Sequence, residues 1–223
     1  MNPPSKRRKY SLRTANRHLL QVDATMGQLI SHIGTTQVRS ESELSVYQSL
    51  ARAICYQMLS TNSAAAIYAR LLQVCDDEVT PECIQGIEDN TLREIGFSRA
   101  KVVSLKDLTS HILSGDIPDD VHLQKMTDDE LVQCLTQAKG IGRWSVEMLM
   151  IFNLGRADVF PATDLGVRKG HMLAYSNDEM LPAGELLEVA EIWKPYRTAA
   201  AWYLWRATDS VDWGAVSRQS PLQ

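Results

Sequence analysis

Two glycines flanked by two basic residues, Lys139-Gly140-Ile141-Gly142-Arg143, form the stretch with the clearest chemical potential. Glycine tolerates φ > 0, so the backbone can reverse here within a few residues, and Ile141 can plug the groove of the adjoining helices. A helix that starts just after Gly142 turns the unbonded N–H groups of its first turn outward, a ready phosphate site. Lys139 and Arg143 add positive charge on either side. The same pattern also suits an ordinary turn between two helices. Farther along stands Asp164, a carboxylate at the head of an apolar-periodic segment that carries Arg168-Lys169; on local grounds it is a helix N-cap.

The elements that must hold these residues are all helical. Thr127-Asp128-Asp129-Glu130 is a capping box, and its helix carries Leu131, Val132 and Leu135 inward and stops at Lys139-Gly140. Val146, Leu149, Met150 and Ile151 line the helix beyond Gly142. Upstream, Leu19, Leu20, Met26, Leu29, Ile30 and Ile33 recur at helical steps as one run, and Tyr47, Leu50, Ile54, Met58 and Leu59 form another. Ser60 caps a third helix, with Ala64, Ile67, Leu71 and Leu72 inward; Thr80-Pro81 starts a short one; Ala100 to Leu113 makes the next. Helices over 164–175 and 182–193 precede a last one holding Tyr203 and Trp205. Sustained period-2 alternation is missing, so the fold class is all-α.

A chain of 223 residues with 44% hydrophobic content supports one large domain or two lobes around a real core. No apolar run approaches the length of a membrane span and the N-terminus lacks a signal-peptide pattern, so the expectation is a soluble intracellular protein. Cys55, Cys75, Cys83 and Cys134 form no C-x-x-C pair and read as buried reduced thiols, which disfavours zinc and iron–sulfur sites. The formal net charge of −4 predicts a small, local phosphate footprint rather than a wide positive face. Residues 1–14 read as a flexible tail whose run Lys6-Arg7-Arg8-Lys9 suits a nuclear address, a loose phosphate contact or simply a solvated tail; without a nuclear address the expected location is cytoplasmic. Nothing suggests an oligomer, so monomer is the default.

Several blocks in order resemble a known family. They are Arg52-Ala53-Ile54-Cys55-Tyr56-Gln57-Met58-Leu59-Ser60, Ile95-Gly96-Phe97-Ser98, the hairpin with Trp144-Ser145-Val146-Glu147, the run Asp158 to Gly170, and Trp193-Lys194-Pro195-Tyr196-Arg197 through Trp205-Arg206. Together they resemble the alkylpurine (3-methyladenine) DNA glycosylases of the helix-hairpin-helix superfamily, from about residue 15 to 207. The resemblance implies a domain over 15–223, with the hairpin unit at 127–153 and an aspartate loop at 156–170, in two helical lobes around a DNA-binding cleft.

What the resemblance implies is base excision from double-stranded damaged DNA. The nucleotide is flipped out of the stack, and the N-glycosidic bond of an alkylated purine is hydrolysed. Asp164 falls on the family's essential aspartate, 22 residues after Gly142, where a carboxylate stabilises positive charge developing on the sugar or orients water. Lys139, Gly140, Ile141, Gly142, Arg143, Ser145, Arg168 and Lys169 would contact DNA. Main-chain carbonyls of Thr136, Ala138 and Ile141 would hold a monovalent Na or K ion, and no other cofactor is expected. Met58 takes the position of the wedge that fills the vacated stack; Ser60, Trp144, Tyr196 and Trp202 would border the base pocket. Strand-cutting members carry a lysine where this chain has Trp144, so excision without nicking is implied. Thr163 departs from an acidic residue usual in the family, and Met58 from a frequent Gln. The alternative the same residues allow is a glycosylase-like protein that recognises abasic sites without productive excision.

Overall fold

The computed structural model describes residues 10–34 and 44–209, and their regular elements are all helices, with no strand among them. The basic run at Lys6 to Lys9 lies outside the described residues. The chain divides into two compact units, one made of residues 1–41 and 150–223 and the other of 42–149.

In the split unit, α1 (Leu12–Val22) and α2 (Ala24–Ile33) are joined through Asp23 alone. The periodicity ran across this point and predicted one helix. Asp23 ends it because its backbone is extended while its carboxylate caps α2, accepting from Met26 N at 2.9 Å. The same carboxylate accepts from Tyr175 Oη at 2.5 Å and Trp193 Nε1 at 2.9 Å, so one buried-side acid joins three distant segments. Helix α1 also begins at Leu12, inside the segment expected to be a tail, because Ser11 caps it.

In the continuous unit, α3 (Val46–Tyr56) carries Tyr47, Leu50 and Ile54 into the core, and α4 (Thr61–Val74) follows with Ser60 as N-cap. Next come α5 (Pro81–Gly86) and α6 (Asp89–Glu94), then the long α7 (Arg99–Ser114). The short α8 (Asp120–Leu123) and α9 (Asp128–Leu135) lead to the hairpin. The capping box of α9 is present as expected, with Thr127 and Glu130 bonded reciprocally.

Cys75 and Cys83 are bonded to each other, against the expectation of four reduced thiols. Asp76 and Asp77 both have positive φ and turn the chain sharply after α4, which brings residues eight apart within a Cα–Cα distance of 5.9 Å. Cys55 and Cys134 remain free thiols.

Helix α10 (Arg143–Phe152) runs out of the continuous unit. Beyond it lie α11 (Leu165–Ala174), α12 (Ala183–Val189) with a 3-10 turn at Ala190–Trp193, and α13 (Arg197–Asp209). Close packing of α11 on α13 depends on Gly170, where an added Cβ would run into the carbonyl of Leu204. Around that contact Val167, Trp193, Ala200, Tyr203 and Leu204 are buried with Met26 and Leu29.

Candidate DNA-binding hairpin and catalytic aspartate

The turn from α9 to α10 uses its two glycines differently. Gly140 has φ of 80°, and a Cβ there would stand 2.8 Å from the Ser104 Cβ on α7. Both facts demand glycine. Gly142 has neither a positive φ nor any atom within 4 Å of an added Cβ, so its place follows from being the residue before α10 rather than from backbone conformation. Ile141 is buried as a plug.

Three bonds fix this hairpin within its unit. Gln57 Nε2 donates to the Gly140 carbonyl at 2.8 Å, tying the end of α3 to the turn. Asp107 on α7 accepts the Lys139 backbone N–H at 2.8 Å and faces Lys139 Nζ at 3.1 Å. That backbone N–H, helped by the ammonium, holds the Asp107 carboxyl below its ordinary pKa even though partial burial opposes it. Lys139 is therefore exposed but already paired, and a phosphate would have to compete with Asp107 for it. Arg143 is exposed at the first position of α10. Ser145, named among the expected DNA contacts, has a buried side chain, because the third position of α10 faces the core, while its backbone lies in the first turn of that helix.

The wedge candidate is conspicuous. Met58 sits just beyond α3, fully exposed, with φ of 55°. It was expected to continue the apolar face of that helix, with Leu59, but α3 ends at Tyr56 and Leu59 is exposed too. A non-glycine residue held in the left-handed region costs stability, and here its whole side chain stands in solvent. Lys101 Nζ steadies this corner by donating to the Cys55 carbonyl at 2.7 Å.

In the other unit, Asp164 caps α11, accepting from Val167 N at 2.9 Å, and Trp205 Nε1 donates to the same Oδ1 at 2.8 Å. The loop leading to it is stitched to the start of α13. Arg197 clasps Asp158 through Nε to Oδ1 at 2.8 Å and NH2 to Oδ2 at 3.0 Å. Thr198 Oγ1 accepts from Val159 N at 3.0 Å and donates to the Arg156 carbonyl at 2.8 Å. Arg168 spends its Nε on the Leu181 carbonyl at 3.0 Å, so part of its guanidinium is structural; Lys169 is exposed.

The expected pocket residues fall in different settings. Trp144 is exposed on α10, in the continuous unit. Ser60 is spent as the cap of α4, also bonding Ser63 Oγ at 2.9 Å. Tyr196 is half-buried between Tyr10 and His18, with ring centroids at 6.0 and 5.4 Å. Trp202 is half-buried, edge-on to Tyr203 at 5.2 Å, with the Arg206 guanidinium 5.4 Å over its ring. Trp205, read from the sequence as a helical aromatic closing one of the family blocks, was given no role in the site. Its partner lies 41 positions away, and helical spacing gives no hint of that contact.

Among the described residues no group of three His, Cys, Asp or Glu could hold a metal ion. The end of α9 offers only neutral carbonyls, the groups a helix leaves without intrahelical donors. Ala138 O accepts from Ile141 N at 3.1 Å, which uses one of its two lone pairs. That donor set fits a hard monovalent cation.

Residues 51–195 match the HhH-GPD superfamily of base excision DNA repair proteins, and the chain belongs to that superfamily. It is 37% identical to DNA-3-methyladenine glycosylase 1 of Schizosaccharomyces pombe over 206 residues, covering 91% of this chain and 90% of that one. Alkylbase DNA glycosidase-like protein mag2 of the same organism is 32% identical, with 86% and 92% covered. The solved S. pombe 3-methyladenine DNA glycosylase (Mag1) in complex with abasic DNA superposes with a TM-score of 0.81, over 89% of this chain and 98% of that one.

Proposed function

We propose that this protein is a monofunctional alkylpurine DNA glycosylase that flips an alkylated base out of duplex DNA and hydrolyses its N-glycosidic bond. The observation that carries the reading is the Asp164 carboxylate, fixed by two donors at the head of α11 in a chain that keeps the glycine hairpin. A carboxylate held still before the reaction stabilises cationic character on the deoxyribose as the bond stretches, without reorganising. Alkylation makes the purine a good leaving group, so water needs orientation more than the base needs an acid. Trp144, which has no amine, forms no Schiff base with the sugar.

In this reading the first turn of α10, with Arg143 and the Gly140–Gly142 turn, grips phosphate. Met58 enters the gap left in the stack. The carbonyls of Thr136, Ala138 and Ile141 would hold a Na or K ion at the hairpin, adding positive charge near the phosphate.

Single-turnover release of bases from methylated duplex DNA, measured beside affinity for a tetrahydrofuran abasic duplex, tests the proposal. Asp164→Asn keeps an amide oxygen to accept from Val167 and Trp205 and remains a good cap, so it removes charge alone. Release should fall at least about a hundredfold, the scale of losing one preorganised electrostatic group, while abasic affinity stays within a few-fold. Tight abasic binding with no release by the unaltered protein would instead establish a damage-binding protein.

A further inference from the structure

Asp164 is oriented by a neighbour that the hairpin and the loop do not supply. Two bonds to its carboxylate converge on Oδ1, from the Val167 N–H of its own helix and the Trp205 Nε1–H of α13. A cap bond alone leaves a carboxylate free to rock about its Cβ–Cγ bond, whereas a second, charge-assisted donor from another helix fixes its plane. Trp205 is fixed in turn: the Phe152 ring stacks on it with centroids 5.7 Å apart and planes 25° from parallel.

Gly166 makes room for this bond. An added Cβ there would lie 2.9 Å from Trp205 Cδ1, 3.2 Å from Trp205 Nε1 and 3.0 Å from Asp164 Oδ1, wedged between donor and acceptor. Gly170, one turn on, lets α13 approach closely enough for the indole to reach. Two glycines on one face of α11 thus serve one hydrogen bond.

We propose that Trp205 is a positioning residue for base excision, its indole N–H locking the Asp164 carboxylate in the orientation that the reaction uses. The inference rests on the glycosylase reading of Asp164 and deepens it. A half-buried indole that merely needed an acceptor would make the same bond, so the test must separate orientation from packing.

Trp205→Phe keeps a ring for Phe152 to stack on and removes the donor together with one ring of the indole. Single-turnover release from methylated duplex DNA should fall about tenfold, short of the roughly hundredfold that an ångström of misplacement costs. Affinity for a tetrahydrofuran abasic duplex should be unaltered. Gly166→Ala should show the same split while retaining the indole, and it carries the test if the Phe variant does not fold. In an Asp164→Asn background neither change should lower residual release further. Unaltered release in both variants, equal loss of release and affinity, or additive loss with Asp164→Asn would each overturn the proposal. If the unaltered protein releases no base, the glycosylase reading falls and takes this one with it; release that ignores both Trp205→Phe and Gly166→Ala removes this one alone.

Discussion

The two hairpin glycines look equivalent in the sequence, and single alanine substitutions should show that they are not. At Gly140, alanine must adopt φ of 80°, which costs an L-residue about 1–2 kcal/mol. It must also displace the Ser104 Cβ, 2.8 Å away on a helix that cannot easily yield. A total of about 2–3 kcal/mol follows, either lost from stability or avoided by moving the turn. A moved turn loses its Gln57 bond and misplaces the first turn of α10, so the same energy would reappear as about thirty- to hundredfold weaker DNA binding. At Gly142 neither cost exists, and alanine should lose at most about 1 kcal/mol as a poorer residue before a helix. Urea denaturation and fluorescence anisotropy with the abasic duplex measure both quantities. Ser104→Gly should restore part of the Gly140→Ala loss, by removing the clash but not the backbone strain. Equal effects at the two glycines, or no recovery with Ser104→Gly, would refute the reasoning.

Met58→Gly should separate stability from recognition: it relieves a left-handed φ and so gains up to about 1 kcal/mol, while preference for abasic over intact duplex, read by competition anisotropy, declines. His171 is buried against Tyr175, ring centroids 4.4 Å apart, and burial lowers its pKa although the Asp23 charge opposes this. The unfolded chain therefore takes the proton first, so His171 costs nothing above about pH 6.5 and destabilises progressively below it, by up to about 1.4 kcal/mol per pH unit. Thermal unfolding from pH 7.5 to 5 should show a slope that His171→Phe flattens; an unchanged slope would locate the acid sensitivity elsewhere.

Local signals placed most elements, because capping is a local interaction. Thr127 with Glu130, Thr80 with Pro81, Ser60 and Asp164 all cap where the spacing predicts. Periodicity misled where a polar residue had a distant reason to be. Asp23 splits an apolar run because Tyr175 and Trp193 need its carboxylate, and Met58 leaves its helix for solvent. The short α6 and α8 escaped notice because one or two turns carry no readable period. In the site, the hairpin and Asp164 were legible from residue type and order. Their supports were not: Asp107 under Lys139, Gln57 under Gly140 and Trp205 beside Asp164 lie 32, 83 and 41 residues from their partners. Nor could sequence tell that Ser145 points inward.

The division of the chain bears on how it is made. Chains emerge N-terminus first, and domains fold as units once their residues are available. The unit over 42–149 is contiguous and holds Met58, Gly140 and Gly142, so it can finish while synthesis continues. The other unit cannot: Gly34 waits for Tyr203, 169 residues later, and Asp23 waits for Trp193. Helices α1 and α2 are born early with an apolar face that α11, α13 and the 3-10 turn at Ala190–Trp193 will cover. Asp164, itself oriented by α13, is among the last parts to be set. On the proposed reading of the site, a nascent chain would carry the phosphate-gripping hairpin before it carries an oriented Asp164, and the order of synthesis would place recognition ahead of chemistry.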